Sequence, residues 1–368
     1  MVEILVSLAL SGLLMSAAFG LISLQYPVYE KQVQLQNSQQ SLWMATELIQ
    51  RDLRRAGMGF GVCPQTQLRY WPRSSAQPLL LQAVAVVDGG DGAPDELQIA
   101  YAEPPSVGIG EATLGVAIGN VWTTTELSVN DSRGFMTPVG CQCTGGTACA
   151  LAGSGTTANP YPLALLFSPV VTTPPTQCAL VQITAAQCTG SGAELLTYAQ
   201  KTEAPLNSAG GTPSVTNAFP IGTQVANLQR LHRLRYFVDR DTDPNSPRLL
   251  RVDDPFTPAQ VIALGIEDFQ VVPACDVNAN GAIEPEGSSA SARVVDEWFY
   301  NEPGDTVPAG CTAWPAVRIA LSSRTSSQDR KTVAAPRPAM DNRLASSVPD
   351  HFQRRVLRKL VTVPNVGL

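Results

Sequence analysis

The sequence predicts an α+β fold, in which one long N-terminal helix packs on an antiparallel β-sheet head with large loop insertions. Three observations carry that prediction. Residues 2–24, VEILVSLALSGLLMSAAFGLISL, contain a single charge, Glu3. Beyond them Leu42, Ala45, Ile49, Leu53 and Ala56 recur at three- and four-residue spacing, while Glu47, Gln50, Arg51 and Arg54 take other faces. That is the period of a helix with one buried side. The rest of the chain sets short apolar runs between turn residues, and 29 Gly and 29 Pro with only 15% charged residues describe strands and loops.

The apolar stretch comes first. At about 1.5 Å per residue it is long enough to cross the hydrocarbon core of a bilayer. A cleaved secretory signal is the competing reading, since Ser16-Ala17-Ala18 offers small residues of the kind a signal peptidase accepts. The basic region such a signal needs is missing, because the first Lys or Arg is Lys31, and the helical pattern runs on past the cleavage point. One helix, apolar and then amphipathic, is therefore expected. Pro27 is the expected kink and Gly57 the expected end. The expected organisation is a transmembrane helix over 1–26, its amphipathic continuation over 27–57 and a β-rich head over 58–368.

Within the head, strands are expected at 79–87, 96–101, 163–167, 179–183, 234–239, 248–252, 266–272, 317–321 and 356–363. Residues 234–239 and 248–252 flank DRDTDPNSP, whose turn formers predict a hairpin. The Gly- and Thr-rich stretches 140–159 and 207–217 read as loop insertions.

Eight cysteines, Cys63, Cys141, Cys143, Cys149, Cys178, Cys188, Cys275 and Cys311, all lie outside the apolar segment. An even count suits disulfides in an oxidising, exported compartment. Zinc held by Cys141, Cys143 and Cys149 is the alternative; no CxxC pair exists, and the only histidines, His232 and His351, are remote in sequence. Proximity predicts Cys178–Cys188 and Cys275–Cys311, and leaves Cys63 and the trio open.

Catalysis is not expected. HExxH, GxSxG and a Walker loop are all missing. Asp95-Glu96 and Asp253-Asp254 are adjacent pairs, which point to opposite faces of a strand and do not frame a glycosidic bond. The net charge of −6 gives no general attraction to nucleic acid. Two basic clusters remain, Arg51, Arg54 and Arg55, and Arg354, Arg355, Arg358 and Lys359. Neither is interleaved with aromatic residues as in single-strand binders, so no nucleic-acid partner is expected.

MVEILVSLAL, with its carboxylate near the start of a membrane helix, resembles the N-terminal motif of type IV pilins. SLWMATELIQRDLRRAGMGFG, ending at Gly61, resembles the helix exit of PilW-type minor pilins and of the related J-type pseudopilins of type II secretion. IEDFQVVPACDVNANGAIEPEG, ending at Gly287, and the segments WPAVRIALSS and RRVLRKLVTV resemble later parts of the same family. The match brackets the chain and leaves about 108–222 without a counterpart. The resemblance implies a type IV pilin-like fold and a role in priming pilus assembly at or near the tip. It makes Glu3 the assembly residue that neutralises the terminal amine of a neighbouring subunit. It further implies other minor pilins, the major pilin and a tip adhesin as partners, with the inner membrane as host before assembly. A basic leader ending in Gly, cut by prepilin peptidase two residues before Met1, is expected with it. From another functional class, a surface-binding module tethered by residues 1–24 fits the same sequence.

One loop carries its own chemistry. Asp276, Asn278 and Asn280 offer side-chain oxygens at alternate positions, Gly281 permits a sharp turn, Ala282 can give its carbonyl and Glu284 takes the ninth position. This is the first half of a calcium loop, with Ca2+ as the expected cofactor. The twelfth position is Gly287, so Glu286 or the more distant Asp296 is the expected closing ligand. The same residues also suit an Asx-rich turn that binds no ion.

Overall fold

The chain, a computed structural model, is described over residues 2–366 apart from several segments, the longer being 64–67, 71–78, 104–110, 136–146, 156–159, 168–177, 189–193, 208–217 and 285–295. Helix α1 spans Val2–Arg55 and is continuous through Pro27, where the sequence predicts a kink. Its end follows from Gly57, which takes φ +77° and donates its N–H to the Ala100 carbonyl at 2.9 Å. A Cβ there would lie 2.7 Å from the backbone oxygen of Asn365, so only glycine closes the helix in this way.

The two halves of α1 have different surroundings. The first is exposed over its described length, whereas Leu42, Ala45, Ile49, Leu53 and Ala56 are each no more than 3% exposed in the main core. This buried half packs on strands Ala316–Arg324, Arg354–Thr362, Gln260–Leu264 and Glu96–Glu103. Ile49→Ala is expected to cost about 2–5 kcal/mol through lost burial and the cavity left behind. A lower denaturant midpoint with an unchanged slope is the measurement. At the polar edge of the same face Asp52 is fully buried, accepting the Tyr236 hydroxyl at 2.6 Å and Arg251 Nε at 3.1 Å.

Two sheets face this helix. One is ordered Gln260–Leu264, Arg248–Asp253, Arg230–Asp239, Glu96–Glu103, Val84–Val87, and it contains the expected hairpin, with Leu234 opposite Asp253 and Asp239 opposite Arg248. The other is Ile266–Ala274, Ala316–Arg324, Arg354–Thr362. Both are antiparallel. Asp268, fully buried on the second, receives Arg337 Nη1 at 2.8 Å and Arg343 Nη1.

The expectation of loop insertions is corrected at one strand within 140–159, while 208–217 and much of 140–159 lie outside the described residues. The region 108–222 contributes strands to two more sheets and builds a second core, with Trp122, Phe135, Phe219, Leu127, Leu166 and Leu196 inside it. Strand Thr147–Cys149 even falls inside the stretch read as loop. A six-stranded sheet is the shared wall: Leu163, Leu165 and Leu180 face the main core, while Ala164, Leu166, Ala179 and Val181 face the second. Burial on both faces is why LALLF and the first four residues of CALVQ are continuously apolar. This sheet also holds one parallel pair, Leu68–Tyr70 against Cys178–Gln182, a departure from the all-antiparallel expectation.

The cysteine pairing changes accordingly. Cys275–Cys311 forms as proximity predicts. Cys178 pairs with Cys63 and not with Cys188. The parallel pairing sets Leu68 opposite Cys178 and so draws the segment carrying Cys63 to that strand. Cys188 lies on Ala185–Cys188 in a different sheet, alongside the strand that carries Cys149. Cys141 and Cys143 lie outside the described residues.

Candidate functional site

Two features stand out for function. The first is the exposed half of α1, the one helix among the described residues long and apolar enough to cross a membrane. Glu3 lies in its first turn, exposed, with its backbone carbonyl accepting the Ser7 hydroxyl at 2.7 Å. A carboxylate in an otherwise apolar membrane segment is costly there unless a partner neutralises it.

The second is the loop that follows strand Ile266–Ala274 and Cys275. The Asp276 carboxylate accepts the backbone N–H of Asn280 at 3.1 Å and of Gly281 at 2.7 Å. Asn278 Oδ1 also accepts the Asn280 N–H at 3.0 Å, and Asn280 Oδ1 accepts the Ala282 N–H at 2.8 Å. Asn280 Nδ2 donates to Glu284 Oε1 at 3.0 Å, drawing the ninth-position carboxylate over the turn. Positive φ at Ala279 (56°) and Gly281 (84°) lets the chain coil this tightly. The structure thus brings Asp276, Asn278, Asn280 and Glu284 into one small loop, with Ala282 on its rim. Glu286 lies outside the described residues. Asp296 accepts the N–H of Trp298 at 3.0 Å.

Glu297 is the residue that sequence reasoning missed. It is 1% exposed, and its Oε2 accepts the N–H of Glu284 at 2.6 Å. Its backbone carbonyl receives the Cys275 N–H at 2.9 Å. Among the described residues, no group of three or more His, Cys, Asp or Glu side chains is placed to hold a metal ion, so any ion here would depend on amide and main-chain oxygens as well.

Other singled-out residues serve the fold. Arg354 is bidentate on Asp350 at 2.6 Å per contact and also reaches Glu267 at 2.7 Å, so the C-terminal basic cluster loses its first member to an internal network. Arg55 stands over the Tyr101 ring at 5.9 Å. The adjacent acid pairs separate as strand geometry requires. Asp253 is buried against His232 Nδ1 at 2.7 Å, while Asp254 meets Arg233 at the surface. Asp95 is buried, accepting N–H groups of Gly89 and Val271, and burial pushes its carboxyl up to about 7. Glu96 faces Arg235.

Comparison of the chain with protein-family models, curated proteins and solved structures finds no match.

Proposed function

We infer that this chain is a non-catalytic, membrane-anchored subunit of a type IV pilus, a minor pilin of the PilW type that primes assembly and sits at or near the tip. The observation that supports the reading most is the division of α1. Its first half offers an unbroken apolar surface with one carboxylate, and its second half is locked into the head by Leu42, Ala45, Ile49, Leu53 and the buried Asp52. Such a helix can lie in a bilayer and later pack among other helices with the same head attached. The partners of this reading are other minor pilins, the major pilin and a tip adhesin, with the inner membrane and prepilin peptidase acting before assembly. The breadth of the head, with its second core built from 108–222, suits the tip, where a bulky subunit crowds fewer neighbours.

Glu3 is the residue that tests it. Glu3→Ala is expected to leave the protein membrane-inserted, because it makes the segment more apolar, while its recovery in sheared pili falls at least tenfold by immunoblot. Normal recovery in pili would count against the reading. Sequencing of the mature N-terminus adds a second measurement. A chain that begins at Phe19 would make residues 1–18 a cleaved signal and leave a secreted surface-binding module. Recovery with secretion-system pseudopili, and not with pili, would identify the J-type pseudopilin alternative.

A further inference from the structure

Strand Arg354–Thr362 is the outer strand of its three-stranded sheet. Which of its backbone groups are free follows from its register with Ala316–Arg324. Just beyond the two ends of the pairing, the Val363 N–H donates to the Pro315 carbonyl at 2.8 Å and the Thr325 N–H to the Gln353 carbonyl at 2.9 Å. Bonding alternates along an antiparallel ladder, so the odd-numbered residues between them face the neighbouring strand, and Val356, Arg358 and Leu360 turn their N–H and C=O groups outward. Among the described residues, no strand pairs with that side. Nine residues of open edge are a template for another chain.

The side chains on this edge restrict which chain can use it. RRVLRKLVT carries four basic residues and no acidic one, in a chain of net charge −6. Arg354 is tied to Asp350 and Glu267. Arg355, Arg358 and Lys359 are exposed and, among the described residues, have no ion-pair partner. They keep a second copy away. In antiparallel registers centred on Leu357, Arg358 or Lys359, self-pairing sets Arg355 against Lys359, Arg358 against Arg358, or Lys359 against Lys359. An acidic strand meets the opposite condition, since its carboxylates offset the same three cations. Between the charges lie Val356 and Leu360, 38% and 56% exposed, and the partly buried Leu357. At the first end of the strand a cavity of about 440 Å3 is lined by Leu35, Val333, Pro336, Phe352 and Arg355.

We propose that strand Arg354–Thr362 is a docking edge for a different protein, which adds an extended acidic segment to it as a fourth strand. Free backbone groups favour a peptide over other polyanions, because nucleic acid and lipid headgroups cannot continue the ladder. The register specifies the segment. An antiparallel partner places carboxylates opposite Arg355, Arg358 and Lys359, aliphatic side chains opposite Val356, Leu357 and Leu360, and an aromatic ring at its end in the cavity.

The probe built to that pattern is fluorescein-Thr-Val-Glu-Glu-Val-Val-Glu-Phe-amide, titrated by anisotropy with the full-length protein in detergent. Saturable binding is expected, weakening as salt is raised. The triple variant Arg355→Glu, Arg358→Glu, Lys359→Glu changes only exposed, unpaired side chains and should bind at least tenfold more weakly with an unchanged Tm. Methylating the backbone nitrogens of the second, fourth and sixth peptide residues, which face the edge in this register, should weaken binding at least tenfold at constant charge. Methylating the third, fifth and seventh, which face away, should leave it within about twofold. Equal binding of the two methylated peptides overturns strand addition and leaves a charged patch. No binding at about 1 mM peptide, or tighter binding of an oligo-dT strand than of the peptide, overturns the docking edge itself. Self-association of the wild type that the triple variant abolishes would make a second copy the occupant and overturn the acidic partner.

Discussion

Replacing Asp268 with alanine is expected to destabilise the head by about 3–5 kcal/mol, because it strands the buried Arg343 guanidinium and leaves the largely buried Arg337 without its carboxylate partner. Asp268 is fully buried, Arg343 is 4% exposed, and Arg337 approaches from the same side. Removing the carboxylate leaves both cations without the charge that offset their desolvation. Chemical denaturation should show a lower midpoint with an unchanged slope. Glu96→Ala is the control. Its partner Arg235 is half-exposed, so that pair should contribute less than about 1 kcal/mol. Equal losses in the two variants would mean that burial does not govern these ion pairs.

Replacing Cys63 and Cys178 together with serine is expected to cost about 3–5 kcal/mol, since their bond spans 115 residues and restricts the unfolded chain over that length. The Cys275–Cys311 bond spans 36 residues, so by loop length alone its removal should cost about 1 kcal/mol less. Thermal melts of the two double-serine variants give the order. A non-reducing proteolytic digest checks the connectivity itself: a linked peptide containing Cys63 and Cys178 is expected, and one joining Cys178 to Cys188 would refute it.

The long helix was legible because its apolar residues obey one period over several turns. Leu42, Ala45, Ile49, Leu53 and Ala56 are predicted as one face and are all buried. Asp52 lies three residues after Ile49 and four before Ala56, so its place on that face was also readable; its partners Tyr236 and Arg251 were not, because only the sheet brings them there. The hairpin around DRDTDPNSP was legible from turn chemistry. The second core was not, because strands such as Thr147–Cys149 and Ala185–Cys188 are short and rich in Thr, Ala and Gln, and they gain their pattern only from neighbouring strands. Proximity succeeded for Cys275–Cys311 and failed for Cys178, whose partner is chosen by a parallel strand pairing between distant segments. The loop at Asp276 was readable because its ligand types sit at alternate positions. Glu297 was not, since nothing in VVDEWFY marks its carboxylate as facing that loop.

The division of α1 has a mechanical consequence. If tension is applied between the exposed end of the helix and the head, the load enters through the residues where α1 first meets the sheets. Lys31 is paired with Asp329 at 2.9 Å, Gln34 with the Ser327 hydroxyl at 3.0 Å and Ser38 with the Ser323 hydroxyl at 2.5 Å. These outer ties would yield first, and the Asp52 clamp with its surrounding Leu53 and Ile49 would yield last. Extraction of the helix is then limited by the rate of breaking that inner clamp and not by the overall equilibrium stability. Under steady traction the junction would behave as a tether with a weak outer catch and a strong inner one.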